Sequence, residues 1–212
     1  MLNHLLSLGV DKGWRKKMIK TLNGPPHDLI VDVATGTADV AIAMAKTLNV
    51  QKIVGIDIAQ QMLDIGTKKI AKANLSEKIS LEWGDSENLR FESNTVSAVT
   101  VAFGVRNFEN VKAGLSEMYR ILQPGGKVVI LEFSKPRVFP LKQLYHFYFK
   151  RILPVVGRIT SKDKKAYSYL YESVQAFPDG ADFIQLLDQT GFTKTSWKPL
   201  TFGICSIYTG IK

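Results

Sequence analysis

The sequence predicts an α/β fold built on an open, mainly parallel sheet. Two observations carry this. Short apolar runs that close on an acid alternate with segments rich in helix formers, and such alternation requires crossovers between parallel strands. The first of these runs, LIVDVATGTADVA (29–41), passes through a tight turn with one glycine, Gly36, into a helical pattern. Strand, turn and helix in that order place a ligand at the carboxyl end of the strand.

The elements follow in order. Residues 1–24 read as an amphipathic helical lead broken at Gly9, and NGPP (23–26) is a breaker before the first strand. LIVDVA (29–34) is a short apolar run of the kind buried in a parallel sheet. DVAIAMAKTL (39–48) is rich in helix formers, and KIVGIDI (52–58) is a second buried strand reaching Asp57. QQMLDIGTKKIAKA (60–73) is the next helix, and KISLEWGD (78–85) alternates and ends in Asp85. TVSAVTVAFG (95–104) is a fourth strand; VKAGLSEMYRIL (111–122) is an amphipathic helix stopped by QPGG; KVVILEF (127–133) is a fifth strand. Residues 139–157 and 166–178 are aromatic and basic helical pieces, and 180–192 is a helix ending at Gly191. The last twenty residues hold two β-like runs joined at Phe202–Gly203, a hairpin for the sheet edge. There is no internal repeat and no linker long enough to divide the chain, so residues 1–212 are expected to form a single domain.

Bulk properties narrow the function classes. Hydrophobic residues make up 45% of the 212, too many for a disordered chain, and no apolar run has the length of a membrane span. The N-terminus carries its charges after its apolar part, the reverse of a secretory signal. The single cysteine, Cys205, forms no internal disulfide, which suits a reducing cytoplasm. The net charge of +9 is spread over loose clusters such as KGWRKK, KKIAK and SKDKK. A basic surface meets nucleic acid, anionic lipid or acidic metabolites, although each cluster alone reads more simply as solvated surface. The three histidines, His4, His27 and His146, are scattered, so no metal site is expected, and His27, which follows two prolines, is expected to face solvent.

Three acids, Asp32, Asp57 and Asp85, fall at the ends of the first three strands. Bound phosphates want backbone amides pressed against them, hence several glycines; here Thr37 and Ala38 stand where more glycine is expected. A ligand with a ribose but no phosphate suits the loop better. Asp57 lies about 20 residues beyond the turn, the spacing of an acid that holds ribose hydroxyls. S-adenosylmethionine, with a ribose, an adenine, a sulfonium and an amino-acid end, meets these demands. Gly36 permits close approach, Thr37 offers a hydroxyl and an amide, and Asp85–Ser86 can hold the adenine edge. A lone turn glycine or strand-end acid is more often a plain turn or helix cap; three acids in succession favour the ligand.

The order VDVATGTAD, GIDIAQQML, GDSENLRF, VAFGVRNFEN, EMYRILQPGG and LEFSKP resembles the class I S-adenosylmethionine-dependent methyltransferases. NHLLSLGVDKGWRKK, FGVRN, EFSKP and YSYLYESVQAFP narrow the resemblance to the demethylmenaquinone and ubiquinone-pathway C-methyltransferases. The resemblance implies a Rossmann-like, seven-stranded sheet with an antiparallel last strand. It implies methyl transfer from S-adenosyl-L-methionine to a ring carbon of a polyprenylated quinol: demethylmenaquinol, or alternatively the benzoquinol intermediate of ubiquinone biosynthesis. The family's cofactor positions fall on Thr37, Asp57, Asp85 and Ser86. Ala38 stands where many members have glycine, and Ala102 where some have serine. The chain begins inside what resembles the family's first motif, without an upstream tyrosine-containing stretch, so it is expected to be shortened at the N-terminus. Arg106 and Asn107, in GVRN, are expected to hold the quinol oxygen as it loses its proton; the alternative for Arg106 is a structural ion pair. Tyr167, Tyr169 and Tyr171 line a quinone-tail pocket or pack in the core. Residues 137–158 are expected to touch the inner face of the cytoplasmic membrane, with aromatics Phe139, Tyr145, Phe147, Tyr148 and Phe149 beside Lys142, Lys150, Arg151 and Arg158. Two readings compete: a nucleic-acid methyltransferase, supported by charge alone, and a cofactor-binding partner without turnover. No nucleic-acid partner is expected.

Overall fold

A computed structural model describes residues 9–137, 139–140, 143 and 165–212. The helices are α1 (Asp11–Lys20), α2 (Asp39–Thr47), α3 (Gln60–Lys72), α4 (Val111–Ile121), α5 (Lys165–Ala176) and α6 (Ala181–Thr190). The strands are β1 (His27–Val33), β2 (Val50–Asp57), β3 (Ile79–Trp83), β4 (Val96–Ala102), β5 (Leu122–Phe133), β6 (Thr193–Leu200) and β7 (Cys205–Ile211). They form one seven-stranded sheet in the order β3-β2-β1-β4-β5-β7-β6. The first five pair in parallel, and β7 runs antiparallel to both β5 and β6.

The apolar runs become strands because both faces of the sheet are covered. Val31, Val33, Val99 and Val101 pack with Leu115 and Met118 of α4 and Phe183 of α6. On the opposite face Ile30, Ile53 and Leu131 pack with Trp14 and Met18 of α1 and Met44 of α2. Strands buried on two faces read as continuous apolar runs, and β4 is buried from Val96 through Val101. The order of strands reverses direction between β1 and β4, so the switch point lies there, with Asp32 in register with Gly55 on one side and Thr100 on the other.

Three sequence expectations change in detail. QPGG stops α4, yet residues 123–126 belong to β5: the ladder jumps from Val96–Leu122 to Ala98–Lys127, and Gly125, at φ +80°, donates its N–H to the Lys212 carbonyl, whose own N–H donates to the Gly126 carbonyl. The terminal hairpin forms, but its outer strand is β6, and β7 is inserted against β5. His27 is half-buried, with Nε2 at 3.0 Å from the carbonyl of Leu22, rather than solvent-facing. His4, His146 and the aromatics and cations expected between 141 and 158 lie outside the described residues.

Candidate functional site: an acid-ringed cleft at the switch point

The turn after β1 alternates handedness. Ala34, Gly36 and Ala38 sit at φ +53°, +57° and +61°, a region where a Cβ costs about 1 kcal/mol. A Cβ on Gly36 would meet only Met62 Cε, at 3.7 Å. Its glycine therefore serves the backbone conformation and leaves the turn open on the ligand side. Asp57 holds the turn in place: Gly36 N donates to its Oδ2 at 2.7 Å and Ala59 N to its Oδ1 at 2.9 Å. Each carboxylate oxygen retains a second lone pair for a ligand hydroxyl.

The turn forms one wall of a cleft of about 490 Å³. Asp32, Asp39, Asp57, Asp85, Glu87 and Glu109 line it, and Arg15, from α1, is the single cation among its described lining residues. Asp32 is fully buried and accepts from Thr35 Oγ1 and Thr100 Oγ1, each at 2.6 Å. Burial pushes its pKa up to about 6 against the help of the two hydroxyls: no cation of the protein cancels its charge directly. Asp39 is the opposite case. Burial works against its ionised form, but the Lys69 ammonium and the Arg15 guanidinium hold its carboxyl below the usual range. Lys69 also donates to Thr37 Oγ1 at 2.7 Å, so the Thr37 hydroxyl has a protein partner. Arg15 lies 3.2 Å from Asp39 and 3.4 Å from Asp11, and its buried Nε has no hydrogen-bond partner. Asp85 accepts from Glu87 N at 2.9 Å, and this tight turn carries Ser86 into the lining.

The opposite wall is the end of β4. Gly104 touches the first turn so closely that a Cβ there would stand 2.5 Å from Ala34 Cβ. Ala102, Phe103, Asn107 and Glu109 line the cleft. Arg106 does not. Its Nη1 donates to Glu132 Oε1 at 2.6 Å and to the Phe103 carbonyl at 2.8 Å, and its guanidinium lies over the Phe133 ring. The Arg106 side chain is 6% exposed and that of Glu132 0%. The ion pair that was the alternative for Arg106 is thus what the structure contains, and its guanidinium points into the protein instead of the cleft mouth. Tyr169 is exposed and its hydroxyl donates to Asn107 Oδ1 at 3.3 Å. Tyr171 is half-buried against the core, and the Tyr167 side chain lies outside the described set.

The fold therefore gathers Gly36, Thr37, Asp57, Asp85, Ser86 and Asn107 around one cavity and leaves Arg106 out. Sequence reasoning missed Arg15, Met62 and Glu109. Arg15 sits in KGWRKK, which looks like solvated surface; its position over Phe103, 5.9 Å from the ring centre, is a tertiary fact with no local signal.

Known proteins resemble the chain throughout. The demethylmenaquinone methyltransferase of Bacteroides fragilis is 46% identical over 211 residues, covering 100% of this chain and 86% of that protein. The ubiquinone/menaquinone biosynthesis C-methyltransferase UbiE of Geotalea daltonii is 43% identical over 212 residues, covering 100% of this chain and 90% of that one. Among solved structures, phosphoethanolamine N-methyltransferase 2 of Haemonchus contortus, in complex with S-adenosyl-L-methionine, superposes with a TM-score of 0.70 at 13% identity over 94% of this chain and 52% of its own. That last likeness speaks for the fold. The model of the ubiE/COQ5 methyltransferase family matches residues 1–212, and the chain belongs to that family.

Proposed function

We propose that this chain methylates a ring carbon of a polyprenylated quinol with S-adenosyl-L-methionine, converting demethylmenaquinol to menaquinol; the benzoquinol of ubiquinone biosynthesis is the alternative substrate. The relatives named for these reactions support the reading, and one observation carries the cofactor part: a cleft ringed by acids with one arginine. S-adenosylmethionine has two cationic centres and one carboxylate, the inverse of that charge pattern. The residues fit it. Asp57 has lone pairs for ribose hydroxyls, Gly36 leaves the turn open to close approach, and Asp85 and Ser86 would hold the adenine edge. Arg15, the one cation among the described lining residues, would take the carboxylate, and Asp32 the cationic centres.

When bound, the sulfonium supplies an electrophilic methyl group. The protein must bring the ring carbon in line behind it and keep water out. The quinol becomes a carbon nucleophile as its hydroxyl loses a proton. Asn107 and Glu109, at the exposed end of the cleft, are the polar groups placed to orient that hydroxyl and accept its proton. Arg106 is a positioning residue in this scheme: its backbone N–H and Nη1 both hold Glu132, and this fixes the turn that presents Asn107.

A lipid-borne quinol also asks the enzyme to visit a membrane surface. No helix among the described residues is long and apolar enough to cross one; the proposed contact is peripheral. Arg137, Phe139, Pro140 and Gln143 are the described residues of the expected docking segment, and Phe139 is 77% exposed. Turnover of demethylmenaquinol and its benzoquinol counterpart, on vesicles and in detergent, tests the proposal. Methylation of the first supports it. Cofactor binding without turnover of either quinol would sink it.

A further inference from the structure

A second hollow opens at the other half of the same sheet edge. It measures about 370 Å³ and is lined by Ser134, Trp197, Pro199, Phe202, Gly203 and Ser206, with Lys135, Arg137 and Asp179 among its other described lining residues. Trp197 and Pro199 share one face of β6, two residues apart. They stand opposite Tyr208 and Ser206 of β7, and Ser206 stands opposite Glu132 of β5. Glu132 is the partner of Arg106, whose neighbour Asn107 lines the cofactor cleft. The buried Arg106–Glu132 pair thus stands beside a lining residue of each hollow, Asn107 of the cleft and Ser206 of the second.

The rim cations are already engaged. Lys135 Nζ is 3.1 Å from Asp179 and donates to the carbonyls of Gln175 and Phe177; Arg137 Nη2 donates to the Asp179 carbonyl at 3.1 Å. An anion would have to compete with these partners, which argues against a phosphate or carboxylate ligand. What remains is apolar surface held open by the backbone. Thr201 and Phe202, both non-glycine, take φ +44° and +58°, and this turn leaves the Phe202 ring 72% exposed beside a Trp197 that is 44% exposed. Two large aromatics presented to solvent at a cavity mouth mark a site for an apolar ligand.

We propose that this cavity receives the isoprenoid chain of the substrate, so that the ring and the chain of one molecule occupy the two hollows of one sheet edge. The inference rests on the quinol reading above. A ring reacting beside the cofactor must send its uncharged chain out of an acid-ringed cleft, and this cavity is an apolar hollow at that edge.

The experiment has two arms. In the first, the protein is labelled with 5-fluorotryptophan, the Trp197 fluorine resonance is assigned with Trp197→Phe, and farnesol is titrated in. A saturable shift at Trp197 with none at Trp83, on the far edge strand, supports the site. No shift at Trp197, or equal shifts at both, overturns it. In the second, Trp197→Glu and Phe202→Glu are assayed with a chain-bearing naphthoquinol and a chainless naphthalenediol. The ratio of the two KM values is expected to rise about tenfold; an unchanged ratio overturns the site. A Trp197 shift without turnover of any quinol overturns the quinol reading and upholds an isoprenoid site, whereas turnover without the shift or the KM change does the reverse.

Discussion

Two carboxylates are buried at the same edge of this sheet, and they are held in different ways. Glu132 faces a guanidinium at 2.6 Å. Asp32 faces two hydroxyls, and burial lifts its pKa to about 6. The first charge is cancelled from within; the second waits for a cation from outside. An acid whose partner is part of the chain is scaffold, and an acid left with only neutral donors at a cleft marks where a positive ligand belongs. The division extends to the two hollows of this edge: the acid-ringed cleft offers charge, and the β5–β7–β6 cavity offers apolar contact.

Breaking the Glu132 pair should have the largest effect. Arg106→Ala leaves a fully buried carboxylate without its cation and is expected to cost 3–5 kcal/mol, roughly the range for breaking a buried pair. Urea unfolding measures this, and the double substitution Arg106→Met with Glu132→Leu should recover most of it. A single variant as stable as the parent would mean that Glu132 is no more scaffold than Asp32.

Asp32→Asn should act in the opposite direction. The folded chain holds the Asp32 proton more tightly than the unfolded chain, whose pKa is near 3.8. Stability therefore falls as pH rises from about 4 to about 6 and is level above, a cost of about 3 kcal/mol from a shift of roughly two units. The asparagine variant should be more stable than the parent at pH 8, by up to about 3 kcal/mol, and no more stable at pH 4. It should also bind S-adenosylmethionine more weakly than the parent while losing less affinity for S-adenosylhomocysteine, which lacks the sulfonium charge and keeps the ammonium. Thermal melts at the two pH values and calorimetry with both ligands check the two halves; equal losses for both ligands would remove Asp32 from the role of sulfonium partner.

Asp57→Ala should weaken S-adenosylmethionine binding by about 1.5–3 kcal/mol. Part of this arises through the turn, since the same carboxylate holds Gly36 N and Ala59 N. Asp57→Asn narrows the contribution of the turn: its one side-chain oxygen still accepts from one of the two amides, so a smaller loss by calorimetry than for Asp57→Ala measures part of what the turn carries. The smallest effect is expected at Ala38→Gly. Relief of a left-handed alanine is worth about 1 kcal/mol, and removal of its buried methyl costs about 0.8 kcal/mol, so the midpoint of unfolding should move little.

These contrasts also explain what the sequence disclosed. The strands ending in Asp32 and Asp57, and the short run before Asp85, were legible because parallel strands write their burial into contiguous residues. The single glycine was legible too, but not that Ala34 and Ala38 would share its handedness, since alanine gives no hint of a positive φ that only the surrounding packing enforces. Arg106 looked like a cleft residue because its partner lies 26 positions away in β5. Local spacing cannot report a pair made between the turn after β4 and a residue of β5. The same holds for Arg15, placed by the packing of Trp14 and Met18 against the sheet. The second cavity was invisible for a related reason: its lining comes from four separated stretches, joined only by the order β5-β7-β6.

That order has a consequence in time. β7 inserts between β5 and β6, and Trp14 Nε1 of α1 donates to Thr201 Oγ1 in the turn between β6 and β7 at 2.8 Å. During synthesis the edge of β5 is finished at Phe133 but finds its antiparallel partner only once Cys205–Ile211 has left the ribosome. Until then a long apolar strand presents unpaired backbone groups on that edge, and Trp14 of α1 lacks its Thr201 acceptor. An exposed edge of this kind recruits other chains. A nascent chain arrested before Cys205 is therefore expected to be held by chaperones or to aggregate, and release of the hairpin converts it to a form that resists protease.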